Sequence, residues 1–292
     1  MVVFTDRPIT RVEDLYGEGH RRAVEELKKA VEVRSFAAVV GPRRVGKTSV
    51  VKSFLFHFKY PYLYFDFSPY MGQTAVSFRS LVPAGVGFDE KQLSSEAQIY
   101  LAVVCLRVKR VRITGDVFEA NLLSLLRELN ERFRRFILVF DEAQVLAFLK
   151  GVNGRGLLQF VHNNFENIVV VLTGSMPGLL EKVISPADAR VAGFARYVEL
   201  IGIPRWNAEE TAGFLEEGLR SAKIGFEQKD LLEVHEKLSG IPGFISYYGL
   251  LRVKGNSHSS SLKSAMDYAM DSGDTIFKPS PQSTNLPSTL DF

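Results

Sequence analysis

Residues Gly41-Pro42-Arg43-Arg44-Val45-Gly46-Lys47-Thr48 spell G-x-x-x-x-G-K-[ST], and Ser49 follows them. Glycines at the two ends let a backbone wrap closely, so that successive N–H groups and a helix N-terminus converge on phosphate oxygens. In such a loop Lys47 reaches the β- and γ-phosphates and the Thr48 hydroxyl binds Mg²⁺. Further along, the apolar run 136–140 ends in Asp141-Glu142-Ala143-Gln144. Two adjacent carboxylates at the C-terminal end of a strand lie where α/β sheets place their ligands. Beside a phosphate loop, Asp141 would support the Mg²⁺ shell and Glu142 would polarise an attacking water. Alone, the pair would equally suit a solvated helix N-terminus, where the dipole favours acids.

Three weaker features follow. Thr173-Gly174-Ser175 closes another apolar run, 168–172; Thr173 or Ser175 is placed to sense a γ-phosphate or hold the water, and an ordinary turn is the alternative. Arg190 and Arg196 precede the last apolar run and are the candidates for an arginine finger, in this subunit or a neighbour. Residues 106–113 alternate basic and apolar side chains. With no aromatic residue or Gly loop between them, they read as a solvated strand or helix edge before a nucleic-acid patch.

Positioning these groups requires a sheet. Apolar runs at 35–40, 62–67, 136–140, 168–172 and 197–201 alternate with helical patterns at 18–33, 94–104, 117–133 and 156–164. Strands alternating with helices predict a parallel sheet covered on both faces, with the phosphate loop between the first strand and a helix. After Pro204 the pattern is helical, at 207–221, 227–238 and 243–251. Asn207 followed by Glu209 and Glu210 reads as an N-cap with an acidic first turn. The expected organisation is a core domain at 1–204, a helical lid at 205–254 and a Ser/Pro-rich tail at 255–292. That tail, apart from a short helix at 262–270, lacks the apolar content to fold alone.

The chain has 292 residues, 46% hydrophobic and 24% charged, which excludes disordered, collagen-like and mucin-like classes for its bulk. A single cysteine, Cys105, allows no internal disulfide and no thiolate metal cluster, as expected of a cytoplasmic protein. The first residues carry Asp6 and no long apolar run, unlike a signal peptide. No apolar stretch reaches the ~18–20 residues of a membrane span, so no membrane partner is expected. A net charge of +3 is too near balance to argue for nucleic acid.

Together these motifs resemble the archaeal-type P-loop ATPases, a branch related to AAA+ and to the STAND regulatory NTPases. The resemblance rests on GPRRVGKT at 41–48, DEAQ at 141–144, LTGS at 172–175 and SGIPGF at 239–244, and spans about the first 250 residues. It implies a five-stranded parallel sheet in order 5-1-4-3-2 and a helical lid, with ATP and Mg²⁺ between them. It also implies that the Gly240–Pro242 turn packs near the nucleotide and couples its state to lid closure. The family's Gly-Arg pair before the last strand is not matched; residues 189–196 offer both Arg190 and Arg196. Members commonly continue into a winged-helix domain that binds DNA or protein, where this sequence has its Ser-rich tail.

The expected activity is Mg²⁺-dependent ATP hydrolysis that passes nucleotide state through the lid to a protein or DNA partner. ATP and ADP are the expected ligands, and an oligomer is allowed. The alternatives are a slow-turnover ATP-binding switch, a DNA-associated AAA+ factor, or a small-molecule kinase. Adenine is favoured because no Asn-Lys-x-Asp segment, the usual guanine reader, follows the loop. The segment 8–16 and the Pro242 turn are the geometric candidates to hold it.

Overall fold

The computed structural model describes residues 4–77, 83–89, 115–150, 153–174, 183 and 198–271. Helix α1 (Glu18–Glu32) buries Ala23, Val24, Leu27, Ala30 and Val31, the three-and-four spacing that gives one apolar face. Strand β1 (Phe36–Val40) is buried on both faces, as a central parallel strand must be. It leads through the phosphate loop into α2 (Lys47–Phe58). β2 (Tyr62–Asp66) and β3 (Pro83–Val86) follow, then α3 (Gly115–Arg132), β4 (Phe136–Asp141), α4 (Gly154–Asn164), β5 (Ile168–Gly174) and β6 (Val198–Gly202).

The sheet runs β3-β2-β4-β5-β1-β6. Its five parallel strands keep the expected order, with β1 between β5 and β6 and β4 between β2 and β5. The sixth strand, β3, is an addition: it pairs antiparallel with β2 at the edge. Its sequence, Pro-Ala-Gly-Val, has no alternation to announce a strand; the unpaired edge of β2 recruits it. One sheet face packs against α1 and α2 and the other against α3 and α4, through separate apolar clusters.

β6 ends at Gly202, and helices α5 (Ala208–Ser221), α6 (Gln228–Leu238) and α7 (Pro242–Val253) follow in the stretch expected to form the lid. Asn207 caps α5 in a reciprocal capping box with Glu210. The tail expectation needs correcting: residues of the Ser-rich stretch form α8 (His258–Asp271), a full helix packed on α6 and α7. Leu262, Ala265 and Ala269 supply its buried stripe. Too little to fold alone, that stripe is sufficient against a lid that presents its own apolar face. Residues 272–292 lie outside the described residues.

The lid core also takes in the N-terminus. Phe4 is buried among lid residues, edge-on to Phe214. Gly218 in α5 and Gly249 in α7 make room for it, since a Cβ at either would run into its ring.

Candidate functional site

The phosphate loop leaves β1 at Gly41 and enters α2 at Lys47. Gly46 has φ of 107°, in the left-handed region, and a Cβ there would lie 3.0 Å from His20 Nε2. The buried His20 ring sits 2.6 Å from the Val45 carbonyl oxygen, so Nε2 carries the proton and donates. Burial holds the imidazole below its usual pKa, which keeps it neutral. Arg44 is left-handed too, with φ of 57°. The lid holds it there: the Gly243 N–H donates to the Arg44 carbonyl at 3.0 Å, and the guanidinium lies 4.2 Å from the centre of the Tyr268 ring.

Lys47 is only 5% exposed, and its ammonium donates to the carbonyls of Gly41 (3.1 Å) and Pro42 (2.7 Å). The side chain is therefore folded over its own loop. Asp141, 2% exposed, is the convergence point of three hydroxyls. Thr48 donates to Oδ2 at 2.9 Å, Tyr64 donates to the same oxygen, and Thr173 donates to Oδ1. Burial pushes the Asp141 carboxyl above its usual pKa while the three donors pull the other way. Burial and the neighbouring carboxylate likewise push the Tyr64 phenol up, keeping it a donor.

Glu142 follows in a left-handed conformation, φ 58°, which costs a non-glycine residue on the order of 1 kcal/mol. Its N–H donates to the Thr173 hydroxyl at 3.0 Å, and its Oε2 accepts from Gln144 Nε2 at 2.6 Å. Thr173 thus orders both acids. The residues suit Mg²⁺: a hydroxyl and a carboxylate offer hard oxygens side by side, and such an ion takes its remaining ligands from phosphate and water. Thr48 and Asp141 would hold it, and it would supply charge neutralisation at the phosphates.

A cavity of about 380 Å³ opens over this end, lined by Arg43, Arg44, Gly46, Lys47, Thr48, Ser49 and Glu142. The same cavity is lined by an aromatic set, Tyr16, Trp206, Phe214, Tyr247 and Tyr268, and by Pro242 and Gly243. The segment from Thr5 to Ile9 crosses beside it. Thr5 and Ser246 of α7 exchange two hydrogen bonds, at 2.9 and 2.8 Å. At the other end, Ile9 is tied to Ser49 and Ser53 of α2, at 3.1 and 3.3 Å. This strap joins the lid to the helix that carries Lys47. Gly240, φ 67°, packs against the Trp206 carbonyl, where a Cβ would collide, and its own carbonyl accepts the Trp206 N–H at 2.8 Å.

The structure therefore brings together the loop residues, Asp141, Glu142, Thr173 and Pro242. Ser175, Arg190, Arg196 and the basic stretch 106–113 lie outside the described residues. Sequence reading misses Tyr64, His20 and Tyr268 because nothing in their neighbours marks them. Gln144 carries a signal, its place two residues after Glu142.

No protein-family model matches the chain, and neither does any curated protein. Solved structures do. The Walker-type ATPase PABY2304 of Pyrococcus abyssi aligns with a TM-score of 0.68 at 22% identity, over 92% of this chain and 77% of that one. Orc1 of Aeropyrum pernix, in complex with DNA, aligns at 0.58 and 16% identity, over 88% and 67%. Cdc6p of Pyrobaculum aerophilum aligns at 0.58 and 15%, over 90% and 68%. The chain shares its fold with these structures, among them a Walker-type ATPase. Among the described residues no helix is long and apolar enough to cross a membrane.

Proposed function

We propose that this protein binds Mg-ATP in the cavity between sheet and lid and hydrolyses it. The observation that carries the reading is that Lys47, Thr48 and Glu142, with Asp141 bonded to Thr48, share one cavity with five aromatic rings. Loop N–H groups and Lys47 hold the phosphates, and the adenine lies among the rings contributed by 8–16 and the lid. Glu142, released from Gln144, takes a proton from a water in line with the γ-phosphorus. The water oxygen bonds to phosphorus as the bond to the β-γ bridging oxygen breaks, giving ADP and phosphate.

Nucleotide state reaches the lid at three places that line or border this cavity. Gly243 bonds to the Arg44 backbone, Tyr268 stacks on the Arg44 side chain, and the N-terminal strap ties α7 to α2. Hydrolysis thereby changes lid position and what the lid docks to. Orc1 above was solved with DNA, and a DNA partner for this chain is the second reading; stimulation of turnover by DNA tests it.

Glu142→Gln should keep ATP affinity within about 3-fold and slow multiple turnover by about 100-fold. Turnover at the wild-type rate would remove Glu142 from the reaction. A wild-type rate that stays below about one turnover per hour, with or without DNA, would leave the slow ATP-binding switch in its place.

A further inference from the structure

On the face of the sheet that carries α2, a second cavity, about 520 Å³, lies between that helix and strands β2 and β3. That volume falls within the ~300–1,000 Å³ of ligand pockets. Tyr62, Tyr64 and Asp66 alternate along β2 and so share one face of it, with Tyr60 just ahead. Lys52, Phe56 and Lys59, spaced by four and three, form the opposite wall from α2 and its C-cap.

Two features of this wall have no role in the core. Phe56 is 62% exposed, although the other side of its helix is fully packed. Lys52 and Lys59 have no carboxylate partner among the described residues. Asp66, the one acid in the lining, accepts the Ser68 N–H at 2.9 Å. Lys59 also complements the dipole at the end of α2, but this explains neither Phe56 nor Lys52. The ammonium of Lys52 stands 5.4 Å from the Tyr64 ring. The other end of Tyr64 is the hydroxyl that donates to Asp141. One buried side chain thus separates this cavity from the carboxylate of the nucleotide site.

We propose that this cavity is a second binding site, for a small organic anion that joins a planar ring to a phosphate, and that its occupancy reaches Asp141 through Tyr64. The ring stacks on Phe56 and the tyrosines, and the phosphate meets Lys52 and Lys59. The coupling to Asp141 rests on the ATPase reading; the binding does not.

Pyridoxal 5′-phosphate is a suitable probe, being an aromatic phosphate whose aldehyde condenses with a lysine amine and loses water. Borohydride then reduces the imine to a stable secondary amine. The full chain is labelled under saturating Mg-ATP, which shields Lys47, and the sites are read by peptide mass spectrometry. Lys52 and Lys59 should saturate at concentrations at least about 10-fold lower than the exposed Lys237 and Lys254. Phe56→Ala, at an exposed position, should abolish that preference. Equal labelling of all four lysines, or a preference that survives Phe56→Ala, overturns the site. Protection by single-stranded DNA at lower concentration than by free pyridoxine phosphate would overturn the small-molecule assignment in favour of a strand.

For the coupling, labelling should weaken Mg²⁺ affinity of the nucleotide-loaded protein about 3-fold in the wild type and not in Tyr64→Phe. An equal change in both would show that Tyr64 does not carry it. A protein that labels as expected but binds no nucleotide would refute the ATPase reading and leave the second site standing.

Discussion

At the proposed phosphate end of the first cavity the groups come from three short stretches, 41–49, 141–142 and Thr173, and nearly all are fixed by hydrogen bonds. At the aromatic end, Tyr16, Trp206, Phe214, Tyr247 and Tyr268 come from separate segments and meet mainly ring to ring. Phosphate recognition needs directional donors, which a continuous loop at the end of a strand delivers. A base needs area and stacking, which any set of packed aromatics can supply. Phe214, Tyr247 and Tyr268 stand on α5, α7 and α8, outside the sheet domain that carries the loop.

Changes at the two ends should have separable effects. The largest is expected from Lys47→Ala, which removes the ammonium at the phosphates. Titration calorimetry should show affinity for ATP and for inorganic triphosphate falling together, by at least about 100-fold. Loss of ATP binding alone would mean that the two ends are not divided in this way. Phe4→Ala should act from the other side. Emptying the slot between Gly218 and Gly249 should cost about 3 kcal/mol of lid stability in urea. It should also weaken ATP about 10-fold with triphosphate unchanged; a parallel loss of triphosphate would remove the strap from the aromatic end.

The smallest effect concerns the pH dependence of the His20 contact to the loop. The folded-state pKa of His20 lies below its ordinary value, so between the two values the unfolded chain binds more protons. Its contribution to stability is complete above about pH 6.5 and is lost as pH falls from there. His20→Gln keeps a donor for the Val45 carbonyl and should flatten the fall in Tm between about pH 7 and 5.5. A slope identical to wild type would mean that another group titrates there.

The parts of the molecule legible from sequence are those with local causes. The capping box at Asn207 and Glu210 depends on residues three apart, and the phosphate loop on eight in a row. The three central parallel strands, β1, β4 and β5, show because burial on both faces demands unbroken apolar runs. By contrast, β3 has almost no sequence signal and exists because β2 offers an edge. Helix α8 looks like polar tail until α6 and α7 provide the surface that buries its three small and apolar residues.

The sequence by itself determined the loop on which the proposed phosphate chemistry rests, because backbone N–H groups can gather round an anion only where glycine permits the turn and a helix begins at once. Tertiary structure decided how that chemistry is aimed. Tyr64, Thr48 and Thr173 meet at Asp141 from three different elements, and Phe4 reaches the lid core from the far end of the chain. Such convergence is a property of packing, in which residues distant along the chain become neighbours because burying them together removes their apolar surface from water.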